Sequence, residues 1–312
     1  KKYRILDNVI FLNINYINHI IQGEIMKILF CTDGSQISFN ALKNISMWIK
    51  DATIDTISVI DWSTLPDEIN IEDKSFSSSC ENIANSILDY AEEEILKLGL
   101  NIGERIKICG SVIESILEQT KKVKYDLILM GSHGKKGIQR WLGSVSQEII
   151  NNSKISDYIA KEENKNKKVL FTTDGTDCSL SVIEKVIPHI DLTDKDIYIC
   201  MVNEDPNLLF LEGTLDSNWL FDIQRQQQIF ASKAIQNIKQ IIENNNFTVS
   251  KTTILSGIPA QEIIEYSKKH DIDLIILGSR NKSKMDRFLL GSVSKRIIEH
   301  VTSDVWLVRC EN

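Results

Sequence analysis

Two stretches of the chain decide its fold: "DLILMGSHGKKGIQRWLGSVS" at residues 126–146 and "DLIILGSRNKSKMDRFLLGSVS" at residues 273–294. In each, a short apolar run ends at a Gly-Ser pair, a basic loop follows, and a second Gly-Ser pair opens a segment with helical spacing. A continuously apolar run of this length predicts a buried strand, so each stretch reads as a strand, a loop and the start of a helix. The unit occurs once in each half of the chain, which indicates an internal repeat.

The repeat extends over whole domains. Three further pairs of blocks recur in the same order, at 27–35 and 168–176, at 110–117 and 257–264, and at 143–150 and 291–298. A period of about 140 residues is too long for a solenoid unit and fits a duplicated domain. We predict a first domain at 26–160, a charged linker at 161–167 and a second domain at 168–312. Residues 1–25 are predicted to be an extension outside the fold, because Met26 directly precedes the first repeated strand.

Short apolar runs alternate with amphipathic helical segments in both copies. Strands that are apolar throughout predict a parallel sheet that helices cover on both faces. The predicted fold class is therefore α/β, with two tandem doubly wound domains of five parallel strands each. The fifth strands, at 155–160 and 303–308, would each leave an apolar sheet edge. We predict that they pair and make the two copies an internal pseudo-dimer, and a homodimer of the whole chain is left open.

Composition and charge exclude several classes of protein. The 312 residues are 42% hydrophobic and 25% charged, as in ordinary globular proteins. The net charge of −7 argues against general nucleic-acid binding, and no apolar run reaches the roughly 18 residues that a membrane span needs. The six cysteines are scattered without a Cys-x-x-Cys pair, so we expect buried free thiols in a reducing cytoplasm and no metal site.

Glycine-rich and acidic segments follow two strands of each copy. Asp33 and Asp174 follow the first strands, and the basic loops follow the fourth. Ligands of doubly wound sheets bind beyond the carboxyl ends of the strands, where the strand order reverses, so acid and loop are expected to line one crevice. Gly131 and Gly134 let the backbone take positive φ and approach a ligand. The free N–H groups of the helix that begins near Gly143 favour an anion, so the basic loop suggests phosphate.

Each of these features also has an explanation that needs no ligand. Ser144 and Gln147 have the spacing of a capping box, in which Ser144 is the N-cap. Asp33 and Asp174 each precede a glycine, as turn residues do. His133 has no obvious serine or cysteine partner, and the motifs of P-loops, dinucleotide folds, hydrolases and zinc proteases are absent from the sequence. We predict no catalytic residue and no metal ligand.

Taken together, the motifs resemble those of the universal stress proteins. "GSHG" and "GSRN" each precede a "GSVS", the first strands end in "TDGS" and "TDGT", and "IPAQEII" opens a helix. The resemblance covers residues 26–310 as a tandem two-domain member, with the motifs in the same order in both copies. It implies the ATP-binding branch, whose signature is G-x2-G-x9-G-[ST]. That branch has a Rossmann-like, adenine-nucleotide-binding fold, with ATP or AMP as ligand and Mg²⁺ on the phosphates.

The resemblance also implies which residues line the two sites. In the first copy they are Thr32, Asp33, Val59, Gly131, His133, Gly134, Gly143, Ser144 and Val145. In the second copy they are Thr173, Asp174, Val202, Gly278, Arg280, Asn281, Gly291, Ser292 and Val293. The threonine and aspartate would lie at the adenosine end, and the valine of the second strand would offer backbone groups to adenine. The glycines and the serine would cradle ribose and phosphates.

Both copies depart from the signature. Eight residues, rather than nine, separate Gly134 from Gly143, and Asn281 stands where the second copy would have its second glycine. A loop that is one residue shorter loses up to about 3.5 Å of reach. Asn tolerates the left-handed region better than other non-glycine residues do. We therefore predict unequal sites, of which the second binds ATP more tightly.

The sequence supports three functions of different classes. The first is a cytoplasmic stress-response protein that binds ATP or AMP and changes its conformation or its choice of partner with occupancy. The second is a nucleotide-free scaffold that uses the same fold to dimerise, and the third is a slow ATPase or phosphotransferase. The retained glycines favour the first function over the second, and the lack of a positioned base disfavours the third.

Overall fold

The computed structural model describes residues 25–49, 51–61, 74–133, 142–162, 165–204, 217–279 and 290–310. The first half contains, in chain order, β1 (Met26–Cys31), α1 (Gln36–Ser46), β2 (Ala52–Ile60), α2 (Lys74–Lys97), β3 (Asn101–Cys109), α3 (Val112–Lys122), β4 (Leu127–Gly131), α4 (Ser144–Asn152) and β5 (Ser156–Ala160). The second half repeats this order with β6 (Lys168–Thr173), α5 (Asp177–Val186), β7 (Asp196–Asn203), α6 (Ser217–Asn244), β8 (Val249–Ser256), α7 (Pro259–Lys269), β9 (Leu274–Ser279), α8 (Ser292–His300) and β10 (Asp304–Arg309). The predicted α/β fold is confirmed.

All ten strands belong to one sheet, in the order β3-β2-β1-β4-β5-β10-β9-β6-β7-β8. Pairing is parallel within each half, and β5 and β10 pair antiparallel at the centre, with Trp306 opposite Tyr158. The predicted pairing of the fifth strands is confirmed. In each half the first and fourth strands are neighbours, and the strand order reverses between them. The carboxyl ends of β1 and β4 therefore form one crevice, and those of β6 and β9 form another, as expected of a doubly wound sheet.

One hydrophobic core spans both halves on one face of the sheet. It joins buried side chains of α1 and α2 to those of α5 and α6, and Trp48 and Trp306 are among its largest members. The opposite face carries two separate cores, one beneath α3 and α4 and the other beneath α7 and α8. Ile150 of α4 and Ile159 of β5 belong to the core beneath α7 and α8, so the two halves share an interior on both faces of the sheet.

Reciprocal contacts across the central strands show an approximate twofold relation between the halves. Lys161 follows β5, and its Nζ donates to the carbonyl oxygen of Ile298 at 2.7 Å. Arg309 ends β10 at the matching position, and its Nη2 donates to the carbonyl oxygen of Ile150. Each half thus sends a cation to the last helix of the other, where a cation is favourable because the carbonyl groups at a helix C-terminus lack partners within the helix.

Buried carboxylates lie beside the same two cations. Asp157 accepts a hydrogen bond from Nη2 of Arg309 at 2.7 Å, and its side chain is fully buried. Burial raises the pKa of Asp157 to about 6, although Arg309 acts in the opposite direction. Asp304 accepts hydrogen bonds from the Tyr158 hydroxyl at 2.8 Å and from the backbone N–H of Lys161 at 2.7 Å. The polar part of the interface is therefore built from different groups on its two sides.

The cysteines correct the sequence-based expectation of free thiols. Cys80 and Cys109 form one disulfide and Cys178 and Cys310 form another, with Cα–Cα distances of 6.8 Å and 5.5 Å. Cys31 and Cys200 are free. The partners are 29 and 132 residues apart in the sequence, and only the packing of a helix against a strand end brings each pair within bonding distance.

No helix in the described ranges combines the length and the apolar character that crossing a membrane would take. The predicted extension lies, apart from Ile25, outside the described residues.

Candidate functional site

The first crevice begins with a tight turn after β1. The backbone N–H of Thr32 donates to the carbonyl oxygen of Ile57 in β2 at 3.1 Å, and the Thr32 hydroxyl shares a hydrogen bond of 2.8 Å with Ser38. The same hydroxyl accepts from the N–H of Gly34 at 3.0 Å. Gly34 has a φ of 75°, a conformation that glycine adopts at no steric cost. The side chain of Thr32 is therefore committed to shaping the turn.

The turn after β6 repeats this arrangement. Thr173 shares a hydrogen bond of 2.8 Å with Ser179 and accepts from the N–H of Gly175 at 3.0 Å, and Gly175 has a φ of 77°. Asp174 accepts from the N–H and from the hydroxyl of Thr176, at 3.1 and 2.6 Å. The two halves thus present the same polar turn at the carboxyl ends of their own strands, and these ends lie at opposite edges of the sheet because β5 and β10 pair antiparallel.

Asp33 and Asp174 are exposed, each at the carboxyl ends of the strands of its own half. The N–H of Ser35 donates to Asp33 at 3.0 Å, as that of Thr176 does to Asp174. The turn role that the sequence offered for these aspartates is therefore present in both copies. Their exposure also places both carboxylates where a ligand in the crevice would meet them.

Gly131 ends β4 where the strand touches the start of α1. A Cβ added at Gly131 would lie 3.1 Å from the backbone carbon and the backbone oxygen of Ile37. Gly131 does not have a positive φ, so the expectation of a left-handed conformation there is wrong. Close approach of two backbones, rather than an unusual dihedral angle, is what requires glycine at this position, and it brings the end of β4 against the turn after β1.

The loop after β4 leaves and re-enters the fold at one place. The N–H of Gly143 donates to the carbonyl oxygen of Ser132 at 2.7 Å, and a Cβ at Gly143 would lie 3.2 Å from Cα of His133. The ring of His133 is held by a 3.0 Å hydrogen bond between its Nδ1 and the hydroxyl of Ser132. His133 therefore lies at the mouth of the loop with a serine partner that the sequence had not suggested.

Helix α4 begins at this closure point. Gly143 is its N-cap in an extended conformation, and Ser144 is its first residue, without a side-chain hydrogen bond that caps the helix. The expected capping box with Ser144 as N-cap is therefore wrong. Because glycine has no side chain, the first N–H groups of α4 are left to another acceptor, which suits an anionic ligand. Helix α8 begins in the same way, with Gly291 as N-cap and Ser292 as first residue.

A serine one turn into each of these helices fixes it to the preceding strand. Ser146 donates from its hydroxyl to the carbonyl oxygen of Gly131 at 2.9 Å, and Ser294 donates to that of Gly278 at 3.2 Å. The helix N-terminus is thereby held at the carboxyl end of the fourth strand in both halves.

The remaining predicted residues lie around the same two crevices. Val59 and Val202 are partly buried, and they are the second-last residues of β2 and β7. Val145 and Val293 are the second residues of α4 and α8. The predicted positions that fall outside the described residues are Gly134, Arg280 and Asn281. The fold thus brings the described members of each predicted set to the carboxyl edge of its own half, and the two edges lie at opposite ends of the continuous sheet.

The second crevice contains two features that sequence reasoning missed. Arg309 donates from Nη1 to the hydroxyl of Ser279 at 3.3 Å, next to the first glycine of the loop. The disulfide between Cys178 and Cys310 lies against that glycine, since a Cβ at Gly278 would be 3.4 and 3.6 Å from the two sulfurs. The only available signal was that Cys178 follows the "TDGT" turn and Cys310 follows the last strand.

Metal ligands do not cluster in the described part of the chain, where no group of three His, Cys, Asp or Glu side chains is arranged to hold an ion. Burial raises the pKa of the Cys31 thiol, which ends β1 directly before Thr32. Burial raises the pKa of Cys200 to about 12 and lowers that of Lys161 to about 8. The crevices therefore combine turns, helix ends and backbone groups, which is the chemistry of binding a phosphate-bearing ligand.

Comparison with known proteins identifies the repeated unit. The model of the universal stress protein family matches the chain twice, at residues 24–161 and 165–309. Two universal stress proteins of Methanocaldococcus jannaschii are 29% and 27% identical to it over 158 and 157 residues, which are 50% and 47% of this chain and 89% and 96% of theirs. A solved universal stress protein from Archaeoglobus fulgidus shares the fold at 20% identity and a TM-score of 0.64, over 91% of this chain and 98% of its own.

Proposed function

The chain belongs to the universal stress protein family, and from this premise we propose that it binds ATP or AMP in the crevices beyond β1 and β4 and beyond β6 and β9. Bound nucleotide would act as a signal that changes the conformation of the chain or its choice of partner. We expect the crevices to position a ligand without activating water, because the sequence predicts no catalytic base there.

The observation that carries this proposal is the meeting of three elements at one point. Gly131 packs on the backbone of Ile37, so the polar turn after β1 and the end of β4 are in contact. Gly143 is hydrogen-bonded to Ser132, so the N-terminus of α4 opens at the same point. Free N–H groups at a helix start attract phosphate, and the turn beside them supplies polar atoms for the other end of a nucleotide.

Mg²⁺ would accompany the phosphates rather than occupy a protein site. Mg²⁺ keeps several waters and is commonly held by one or two carboxylates together with the phosphates of its substrate. Asp33 and Asp174 are the exposed carboxylates at the two crevices. They would contact the ion or the ribose of the ligand.

The test is a calorimetric titration of the full chain with ATP, in which we expect two unequal phases. Gly291→Val should remove the tighter phase, with at least about a tenfold loss of affinity, because its side chain would fill the approach to the N-terminus of α8. A Cβ added at Gly291 meets nothing within 4 Å among the described residues, and an unfolding curve of the variant checks that it folds. Loss of binding would therefore report the site itself.

Gly143→Val is the matched variant of the first crevice and should remove only the weaker phase. Here the added side chain meets Cα of His133 at 3.2 Å, so an unfolding curve must accompany the titration. If Gly143→Val removed the tighter phase instead, the ranking of the two sites would be reversed. Absence of any ATP or AMP binding to the unmodified chain would refute the binding module and favour the nucleotide-free scaffold.

The same preparations measure ATP turnover, which we expect to be negligible. A rate of roughly 1 per second, within the ordinary range of enzymes, would contradict the proposal that the chain is a binding module.

A further inference from the structure

We propose that Cys178 and Cys310 form a reversible thiol–disulfide switch that controls nucleotide binding in the second crevice only. The expected effect on nucleotide binding rests on the proposed function. The switch itself is inferred from the positions of the two cysteines. It assigns a role to two residues that the binding site itself does not require.

The disulfide ties together the two elements that frame the second crevice. Cys178 is the second residue of α5, directly after the turn that contains Asp174 and Thr176. Cys310 follows β10, and its N–H donates to the carbonyl oxygen of Ser279 at 3.4 Å, where the loop after β9 begins. The bond therefore connects the polar turn to the base of the loop.

Gly278 transmits the state of the cysteines to the crevice. Its missing Cβ position lies 3.4 Å from Sγ of Cys178, 3.6 Å from Sγ of Cys310 and 2.9 Å from Cγ2 of Val182. Two sulfurs in a disulfide are about 2.05 Å apart, whereas non-bonded heavy atoms require about 3.5 to 4.0 Å. Because Gly278 is already packed against both sulfurs, their separation on reduction must move the start of α5, the loop base, or both.

The first crevice has no equivalent device. Ile37 occupies the position that matches Cys178, and Glu162 follows Lys161 as Cys310 follows Arg309. Gly131 accordingly packs on Ile37 instead of on sulfur. The state of the Cys178–Cys310 pair can therefore change the second crevice, and the first crevice has no bond at the matching positions.

The exposure of the two cysteines suits thiol–disulfide exchange. Cys178 is partly exposed, while Cys310 is 4% exposed. A thiolate reductant would attack Sγ of Cys178, because attack needs access to the sulfur. Cys310 would be the leaving thiolate and would then take up a proton.

The complete exchange with glutathione balances without any other reactant. In reduction, a first glutathione thiolate forms a mixed disulfide with Cys178 and releases Cys310, and a second glutathione thiolate attacks the glutathione sulfur of that mixed disulfide. The products are two cysteine thiols and one glutathione disulfide, and two electrons pass from glutathione to the protein. In oxidation the Cys178 thiolate attacks glutathione disulfide and releases glutathione, and Cys310 then displaces the second glutathione.

The disulfide should favour nucleotide binding because it fixes the turn against the loop base before the ligand arrives. We expect reduction to weaken ATP binding in the second crevice by at least about fivefold, which is the lower end of ordinary coupling between sites. Binding in the first crevice should not change.

The experiment titrates the full chain with ATP after equilibration in glutathione buffers of different ratio, while differential alkylation and mass spectrometry count the thiols at each cysteine. The double variant Cys178→Ser, Cys310→Ser should bind ATP like the reduced chain and ignore the buffer. The matched control is Cys80→Ser, Cys109→Ser, which removes the disulfide between α2 and the end of β3. This control should keep the full response to glutathione.

Hydrogen exchange across residues 173–182 separates failure of the switch from failure of the proposed function. If the chain binds no ATP in any buffer, the proposed function is wrong, and the switch still predicts at least tenfold faster exchange in this segment on reduction. The switch is overturned if Cys178 and Cys310 do not interconvert between thiol and disulfide. It is equally overturned if both states give the same exchange and, where ATP binds, the same affinity.

Discussion

Lys161 and Arg309 occupy matching positions at the ends of the two central strands, and each reaches the last helix of the opposite half. Within the described residues, Lys161 donates from its Nζ to one carbonyl oxygen, that of Ile298. Arg309 contacts Ile150, the hydroxyl of Ser279 and the buried carboxylate of Asp157. Both copies of the duplicated fold therefore have a cation at this position. The number of hydrogen-bond partners of that cation depends on the residues around it. A planar guanidinium can serve several acceptors at once, and an ammonium group at the same place serves fewer.

The largest expected effect on stability comes from removing the side chain of Arg309. Arg309→Leu leaves Asp157 buried without its counter-ion, which costs about 3 to 5 kcal/mol of the free energy of unfolding at pH 7. Denaturant unfolding followed by circular dichroism measures this loss.

The double variant Arg309→Leu, Asp157→Asn is the control for that experiment. Because it removes the uncompensated charge as well, we expect it to recover most of the stability. If the double variant were as unstable as the single one, packing around Arg309 rather than the ion pair would be responsible.

The second prediction uses the pH dependence of the same buried carboxyl. Burial raises the pKa of Asp157 from its ordinary value near 3.8 to about 6. The folded state therefore holds this proton more tightly than the unfolded state, so the stabilisation is complete below about pH 4 and is lost as the pH rises through about 6. The stability lost between these two pKa values is roughly 3 kcal/mol.

Comparison with Asp157→Asn isolates this contribution from those of other carboxyl groups. The difference in unfolding free energy between the unmodified chain and the variant should change by roughly 3 kcal/mol from pH 4 to pH 7, to the disadvantage of the unmodified chain. A constant difference across this range would mean that Asp157 titrates at an ordinary pKa.

The smallest effect on the free energy of unfolding is expected from replacing Lys161. Burial lowers the pKa of Lys161 to about 8, so the charge of Lys161 is already costly where it lies. Lys161→Met loses the hydrogen bond to Ile298 but relieves this cost, and we expect a net loss of about 1 kcal/mol. The same denaturant experiment applies. A loss as large as that of Arg309→Leu would show that the two sides of the interface are equivalent after all.

The sequence predicted the parts of the fold that depend on local pattern and repetition. The apolar runs located the strands, and the recurrence of "GSVS" and of the "TDGS" and "TDGT" turns located the two crevices. The central pairing of β5 and β10 was predictable because each would otherwise be an exposed apolar edge.

Local sequence pattern did not predict contacts between residues far apart in the chain, nor the backbone conformation at single residues. The disulfide of Cys178 and Cys310 needs partners 132 residues apart. Gly131 was predicted to need a positive φ, and the structure shows instead that it needs room for Ile37. The ligand-free alternative places Ser144 at the N-cap because serine favours that position, but the N-cap of α4 is Gly143, which is held by Ser132.

The antiparallel pairing of β5 and β10 within one chain affects which substitutions the two halves can accept. In a homodimer each substitution appears on both sides of the symmetry axis, so a side chain that helps one subunit must be tolerated by the other. Here both partners are covalently joined, and their association does not depend on protein concentration. The two sides are therefore free to acquire different residues, as Lys161 and Arg309 have, and as Ile37 and Cys178 have. A tethered pair of domains can keep one half constant while the other takes on a new control.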